Sequence, residues 1–200
     1  GQGCRGFRRF AALRRTASPL TSPSAPPHLE GRTGIMSGVW LSLGANLGDP
    51  RAALEAAIEE IKAIPGVRAF RRSSFYRTSP VDSSGPEYVN AAAALEWDGE
   101  ALSLLHLLQK IELAHGRVRP AGVHNAPRTL DIDILSIENV RSGTPELLLP
   151  HPRMNERLFV LVPLAELEPD WTAPDGTGIQ KLIDRVKKID PEQQITKLSD

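Results

Sequence analysis

Arg128-Thr129-Leu130-Asp131-Ile132-Asp133-Ile134-Leu135 decides how the rest of the chain reads. From Leu130 to Ile134 apolar and acidic residues alternate strictly, the pattern of a strand with one buried face. Residues two apart on a strand share a face. Leu130, Ile132 and Ile134 are therefore expected to point into a core, with Asp131 and Asp133 side by side on the opposite face. Paired carboxylates repel each other unless a cation lies between them. Mg²⁺ suits such a pair, because it takes one or two carboxylates, keeps several waters and draws further oxygens from phosphate. The plain alternative is a solvated strand face with two acids, and Asp-x-Asp alone favours it. Arg128 beside the strand, and Arg117 and Arg119 a loop earlier, shift the balance toward phosphate chemistry.

Upstream, Val39-Trp40-Leu41-Ser42-Leu43 alternates as a first strand, and Gly44-Ala45-Asn46-Leu47-Gly48 leaves it as a loop. Asp49-Pro50 is a helix start, with Asp as N-cap and Pro at the first helical position. Leu54, Ala57, Ile58, Ile61 and Ile64 share one face of that helix, which Pro65-Gly66 ends. Residues 67–77 read as a second strand and residues 78–87, rich in Pro, Gly and Ser, as a loop. Tyr88 to Trp97 is a third strand, with Val89, Ala91, Ala93, Leu95 and Trp97 on one face and Tyr88 and Asn90 on the other. Leu104, Leu107, Leu108, Ile111 and Ala114 mark a second helix, on which Gln109 and Glu112 are neighbours. A loop over 115–127 leads into the aspartate strand.

Downstream, Leu147-Leu148-Leu149 is a short strand. Residues 158–167 read as a helix apolar nearly all round, bent or interrupted near Pro163. Ile179, Leu182, Ile183 and Val186 mark a last helix, and the polar C-terminal dozen residues are expected to fray. The order β-α-β-β-α-β over residues 39–137 is the ferredoxin-like arrangement. That is an α+β fold with a mainly antiparallel sheet and helices on one face, here with additional C-terminal helices.

Composition narrows the function classes. Residues 1–35 hold six of the 24 basic residues and one of the 24 acids, which leaves the body a net charge of about −5. A nucleic-acid binder should carry a basic field instead. Cys4 is the one cysteine, so neither a disulfide framework nor a Cys-based zinc site is available to the body, and a reducing, cytoplasmic setting is the natural expectation. No apolar run has the length of a membrane span. Residues 1–35, rich in Arg, Ser and Pro, lack the periodicity of a buried element and read as a disordered extension ahead of a single domain over 36–200. An organellar transit peptide, upstream sequence from a wrong start site and a basic tail all fit its composition. Met36, just before the first strand, favours the second.

Taken together, Leu43-Gly44-Ala45-Asn46-Leu47-Gly48, Tyr76-Arg77-Thr78-Ser79-Pro80, Tyr88-Val89-Asn90, Ile111-Glu112 through Gly116-Arg117-Val118-Arg119, Pro127 through Ile134, Pro150-His151-Pro152-Arg153 and Arg157-Leu158-Phe159 resemble the 6-hydroxymethyl-7,8-dihydropterin pyrophosphokinases of folate biosynthesis. Each piece is short, but seven in the right order over about 39–171 are specific. The resemblance implies transfer of the β,γ-diphosphate of ATP to the pterin hydroxymethyl oxygen with release of AMP. It also implies two Mg²⁺ ions bound with ATP and held by Asp131 and Asp133, with Arg117 and Arg128 as catalytic arginines. Gln109, Glu112, Arg117, Arg128, Ile134, His151, Arg153 and Arg157 match or flank ATP-binding positions. Tyr88 and Phe159 match a stacking pair for the flat pterin and Asn90 the amide that reads its edge, with Gly44, Thr78, Pro80 and Val81 around them. The family further suggests a monomer with small-molecule substrates, and neither nucleic acid nor membrane as partner.

Two other classes compete. A different Mg²⁺-dependent phosphoryl- or nucleotidyl-transfer enzyme would not need Tyr88, Asn90 and Phe159 around a small heteroaromatic. A ferredoxin-like RNA-binding module would want a basic surface, which the acidic body lacks. Residues 44–48 lack the Lys-Ser/Thr of a P-loop and read as a tight strand–helix connection. Deleting residues 1–35 should leave melting temperature and activity unchanged; a drop of several degrees on truncation would contradict this reading.

Overall fold

A computed structural model describes residues 36–79, 85–116 and 129–199. Strand β1 (Ser37–Ala45) lies between β4 (Tyr88–Trp97) and β5 (Asp131–Ile137), antiparallel to both. β2 (Val67–Arg72) and β3 (Tyr76–Thr78) run one after the other along the far edge of β4. The resulting order, with antiparallel neighbours throughout, is the expected ferredoxin-like core.

Helix α1 (Pro50–Lys62) starts as its sequence dictates, with Asp49 Oδ1 accepting the Ala52 N–H at 3.0 Å and Pro50 at the first helical position. With α2 (Ala101–Ala114) it covers one face of the sheet. There Val39, Leu41 and Leu43 of β1, Ala91, Ala93 and Leu95 of β4, and Ile132 and Ile134 of β5 pack against Leu54, Ile58, Ile61, Leu104 and Leu108. This is the alternation read from the sequence.

The second face is not bare, which extends the expectation of helices on one side. α3 (Leu158–Leu167) and α4 (Ile179–Ile189) pack there, with Leu158, Leu161, Leu164, Leu182, Ile183 and Val186 meeting Ala92 and Leu135. A β-bulge lets β5 serve both layers: Leu41 pairs with Ile134 but Trp40 with Ser136, so Leu135 is the extra residue and joins the second core. α3 runs through Pro163 as one helix, although Pro163 has no N–H to give to the turn before it.

Three other elements differ from the sequence reading. The expected strand over 67–77 is two strands, with a bulge in β2 where Ala69 takes φ +48°. Ser73 bridges the break, its N–H donating to Ala92 O and its Oγ accepting the Ala92 N–H, both at 2.9 Å. β6 (Ser142–Gly143) pairs with β7 (Leu148–Leu149) in a small hairpin. The C-terminus does not fray, because β8 (Ile195–Lys197) pairs with β3 and closes that sheet edge.

Glu166 of α3 ties the second layer to the sheet. Its Oε2 accepts the Tyr76 hydroxyl at 2.6 Å, and its Oε1 accepts Ser74 Oγ and N–H at 2.8 and 3.1 Å. Burial raises the affinity of Glu166 for a proton, but the hydrogen bonds from Tyr76 and Ser74 and the charge of Lys197 outweigh it and hold the carboxyl below its usual range. Burial, then Glu166, pushes the Tyr76 phenol up. A depressed folded-state pKa contributes stability that is present above the ordinary value of 4.5 and is lost as pH falls through the folded value. The melting temperature should therefore fall more steeply from about pH 5 to pH 3 in the parent than in Glu166→Gln. Parallel curves would show that the Glu166 carboxylate does not matter to acid stability.

Candidate functional site

Pairing across the sheet decides which residues meet. Gly44 of β1 lies opposite Asp131 on one side and Asn90 on the other, and Asn90 lies opposite Tyr76. Directly paired residues share a face. Asp131, Gly44, Asn90 and Tyr76 thus form one row across four strands, and Asp133, Ser42 and Ala92 form the next. Both rows lie on the face away from α1 and α2. Asp131 and Asp133 are half-buried there, as the alternation in β5 requires. Strand spacing puts them two strands, or roughly 10 Å, from Asn90.

Asn90 is buried, and its Nδ2 donates to Thr78 Oγ1 at 2.7 Å. Its Oδ1 lies over Gly44, where an added Cβ would stand 2.7 Å away, so Gly44 is a glycine because the amide occupies the space. Tyr88, opposite Thr78 and two residues from Asn90, is half-buried on the same face. Asn46 of the following loop donates to Pro86 O at 3.2 Å.

His151 reaches β5 through its backbone N–H, which donates to the bulged Leu135 O at 2.7 Å. Burial lowers the imidazole pKa, the Arg157 and Arg153 charges lower it further, and Asp131 opposes them, so these three charged residues lie within electrostatic reach of His151. The ring is neutral near pH 7. Its Nδ1 accepts the Arg153 N–H at 3.2 Å, which leaves the ring proton on Nε2. The Arg157 guanidinium lies 5.4 Å from the half-buried Phe159 ring.

Glu112 is a buried acid on α2 whose Oε1 accepts the Ile132 N–H at 2.8 Å on the outer edge of β5. Gln109 is half-buried one turn earlier. Ile134 differs from the rest, because its side chain lies in the core beneath α1 and α2 and only its backbone is on offer to a ligand. Arg117, Arg128, Pro80 and Val81 lie outside the described residues. Glu166 escaped the sequence reading, since a lone acid on an apolar helix carries no signal until Ser74 and Tyr76 are seen to face it.

The donor set fits Mg²⁺. Among the described residues no cluster of three or more His, Cys, Asp or Glu could cage a metal, whereas the Asp131–Asp133 pair offers the hard oxygens of a cation that shares its shell with phosphate and water. No helix of the described residues is long and apolar enough to cross a membrane.

Residues 40–169 match the family model for 7,8-dihydro-6-hydroxymethylpterin-pyrophosphokinase. The chain is 40% identical over 146 residues to the 2-amino-4-hydroxy-6-hydroxymethyldihydropteridine pyrophosphokinase of Pseudomonas aeruginosa, covering 72% of this chain and 89% of that protein. Its counterpart in Methylorubrum extorquens is 40% identical over 157 residues, covering 78% and 96%. Among solved structures, the wild-type Plasmodium falciparum HPPK-DHPS with pteroate superposes with a TM-score of 0.61 at 13% identity, a likeness of fold alone. The alignment spans 82% of this chain and 48% of that longer one.

Gly44→Ala tests the packing of the two central rows. The new methyl must displace the Asn90 amide and break its bond to Thr78, which should cost about 1–3 kcal/mol of stability. Denaturant unfolding measures it, and an unchanged midpoint would show that the amide moves aside freely.

Proposed function

The chain belongs to the 7,8-dihydro-6-hydroxymethylpterin-pyrophosphokinase family, and from that premise we propose which of its residues hold each substrate. The reaction transfers the β,γ-diphosphate of ATP to the hydroxymethyl oxygen of hydroxymethyldihydropterin, releasing AMP, in folate biosynthesis. The observation that carries the assignment is the row Asp131–Gly44–Asn90, with carboxylates at one end and a buried amide at the other. Its span of about 10 Å suits a pterin at the amide whose hydroxymethyl arm points toward a polyphosphate at the carboxylates.

Asp131 and Asp133 hold two Mg²⁺ ions with ATP, and those ions supply charge neutralisation of the phosphates. Asn90, steadied by Thr78, reads the polar edge of the pterin, and Tyr88 and Phe159 stack on its faces, with Gly44, Pro80 and Val81 completing the pocket. Arg157 and Arg153 face the phosphate charge, and His151 offers a neutral Nε2–H donor. Glu112 and Gln109 border the nucleotide at the edge of β5, and Ile134 contributes through its backbone. Arg117 and Arg128 stabilise charge on the transferred group. Residues 36–200 make up the catalytic domain and residues 1–35 an extension outside it. The working unit we propose is a monomer, as the resemblance to the family suggests, acting in a reducing, cytoplasmic setting.

Asp131→Ala and Asp133→Ala should each lower turnover by roughly 10²-fold or more while the protein stays folded, because each change also relieves repulsion between the carboxylates. The assay follows AMP formed from ATP with and without hydroxymethyldihydropterin in Mg²⁺, beside a thermal melt. Near-normal turnover in both variants would remove the metal assignment.

A further inference from the structure

We infer that the C-terminal segment of the fold belongs to the substrate-binding apparatus, with Gln193 as a positioning residue for Arg157 and Phe159. This rests on the assignment of those two residues to ATP and pterin above. A single side-chain amide brackets Arg157. Gln193 Oε1 accepts the Leu158 N–H at 2.8 Å, and its Nε2 donates to Glu156 O at 3.0 Å. α3 opens at Leu158 with Arg157 at the N-cap and no side-chain cap of its own. Gln193 supplies the missing acceptor from 35 residues away. It is itself held, since Nε2 also donates to Asp190 Oδ2 at 3.0 Å and its backbone N–H donates to Asp190 O at 3.3 Å. The backbone of Arg157 is thus fixed on both sides, in the residue whose guanidinium lies over Phe159.

The neighbouring residues hold the opposite wall. Gln194 O accepts the Ser79 N–H at 3.3 Å, and the Gln194 N–H donates to Ser79 Oγ at 3.3 Å. Ser79 Oγ donates to Glu192 O at 3.5 Å. One residue further, Ile195 pairs with Thr78, the partner of Asn90. Residues 192–195 therefore connect the start of α3, with its stacking ring, to the end of β3 beneath the reading amide. They set the separation of the two walls, Gln193 through its side-chain amide and Glu192, Gln194 and Ile195 through their backbones.

The test uses the full chain, with KM and kcat measured for each substrate well below the melting temperature. Gln193→Ala should raise KM for ATP and for the pterin roughly three- to tenfold, the equivalent of one or two net hydrogen bonds, with kcat within about twofold. Gln193→Glu keeps the acceptor for Leu158 but sets a carboxylate oxygen against Glu156 O and the Asp190 carboxylate, so it should raise KM at least as far as Gln193→Ala. Ile61→Ala, a cavity under α1 in the other core, should lower stability and leave KM unchanged. Parent-like KM in Gln193→Ala, or an equal rise in Ile61→Ala, overturns the inference. Arg157→Ala and Phe159→Ala separate the two possible failures. If both bind substrates as the parent does, the site assignment fails and the inference fails with it. If they bind weakly while Gln193→Ala binds normally, the inference alone fails. In the Arg157→Ala/Phe159→Ala background Gln193→Ala should add little, and a full additional loss would overturn the positioning role.

Discussion

Burial of one face of β1 constrains everything around it. Val39, Leu41 and Leu43 must lie beneath α1 and α2, so Ser42 and Gly44 face the other way, and antiparallel pairing carries that choice to Asp133, Asp131, Ala92 and Asn90. A one-residue slip of β5 would bury both aspartates and expose Ile132 and Ile134. The cost of burying two unpaired carboxylates rules that register out. Hydrophobic burial on one face thus aligns the polar row on the other, and the position of the carboxylate pair follows from core packing.

The polar row is itself organised by size. Gly44 leaves room for the Asn90 amide, which turns to Thr78, and Thr78 is held in register by β8. Toward the carboxylates the balance is electrostatic. Burial, and then the charges of Arg157 and Arg153, lower the His151 pKa while Asp131 pulls the other way, so acid and cations are interleaved in one region. A region that offers both suits a ligand carrying phosphate and its counter-ions better than one of a single sign.

What was legible in the sequence was what local periodicity and capping record. The alternations of β1, β4 and β5, the Asp49-Pro50 start of α1 and the apolar faces of α2 and α4 stand as read, except that β1 runs on through Gly44-Ala45, read as loop, and Ala114 at the end of α2 is exposed. The misses depend on distant partners. The break between β2 and β3 arises where Ser73 substitutes its hydroxyl for a ladder bond to Ala92, and a serine in sequence does not announce its acceptor. β8 looked like a fraying tail because its residues are polar, yet an edge strand is held by backbone hydrogen bonds that any composition supplies. Ile134 matches a ligand position by motif, and its strand face commits the side chain to the core, so the role proposed for it falls to its backbone. Of the site, the aspartate pair, Asn90, Tyr88 and the Arg157–Phe159 pair could be named from motifs. Their separation across the sheet could not, because strand order is a long-range property.

The outer edge of β5 shows why site and scaffold cannot be separated. An edge strand carries N–H and C=O groups with no ladder partner, and leaving them bare invites pairing with another chain. Here the Ile132 N–H is taken by the buried Glu112 and the Leu135 C=O by the His151 backbone. A buried carboxylate would be costly on its own, but a backbone donor aimed at it offsets part of that cost. The residues that finish the sheet edge are thereby fixed beside the aspartates that the same strand presents. The packing of β5 against α2 and against the backbone of His151 sets Glu112 and His151 in fixed positions along the strand that carries Asp131 and Asp133.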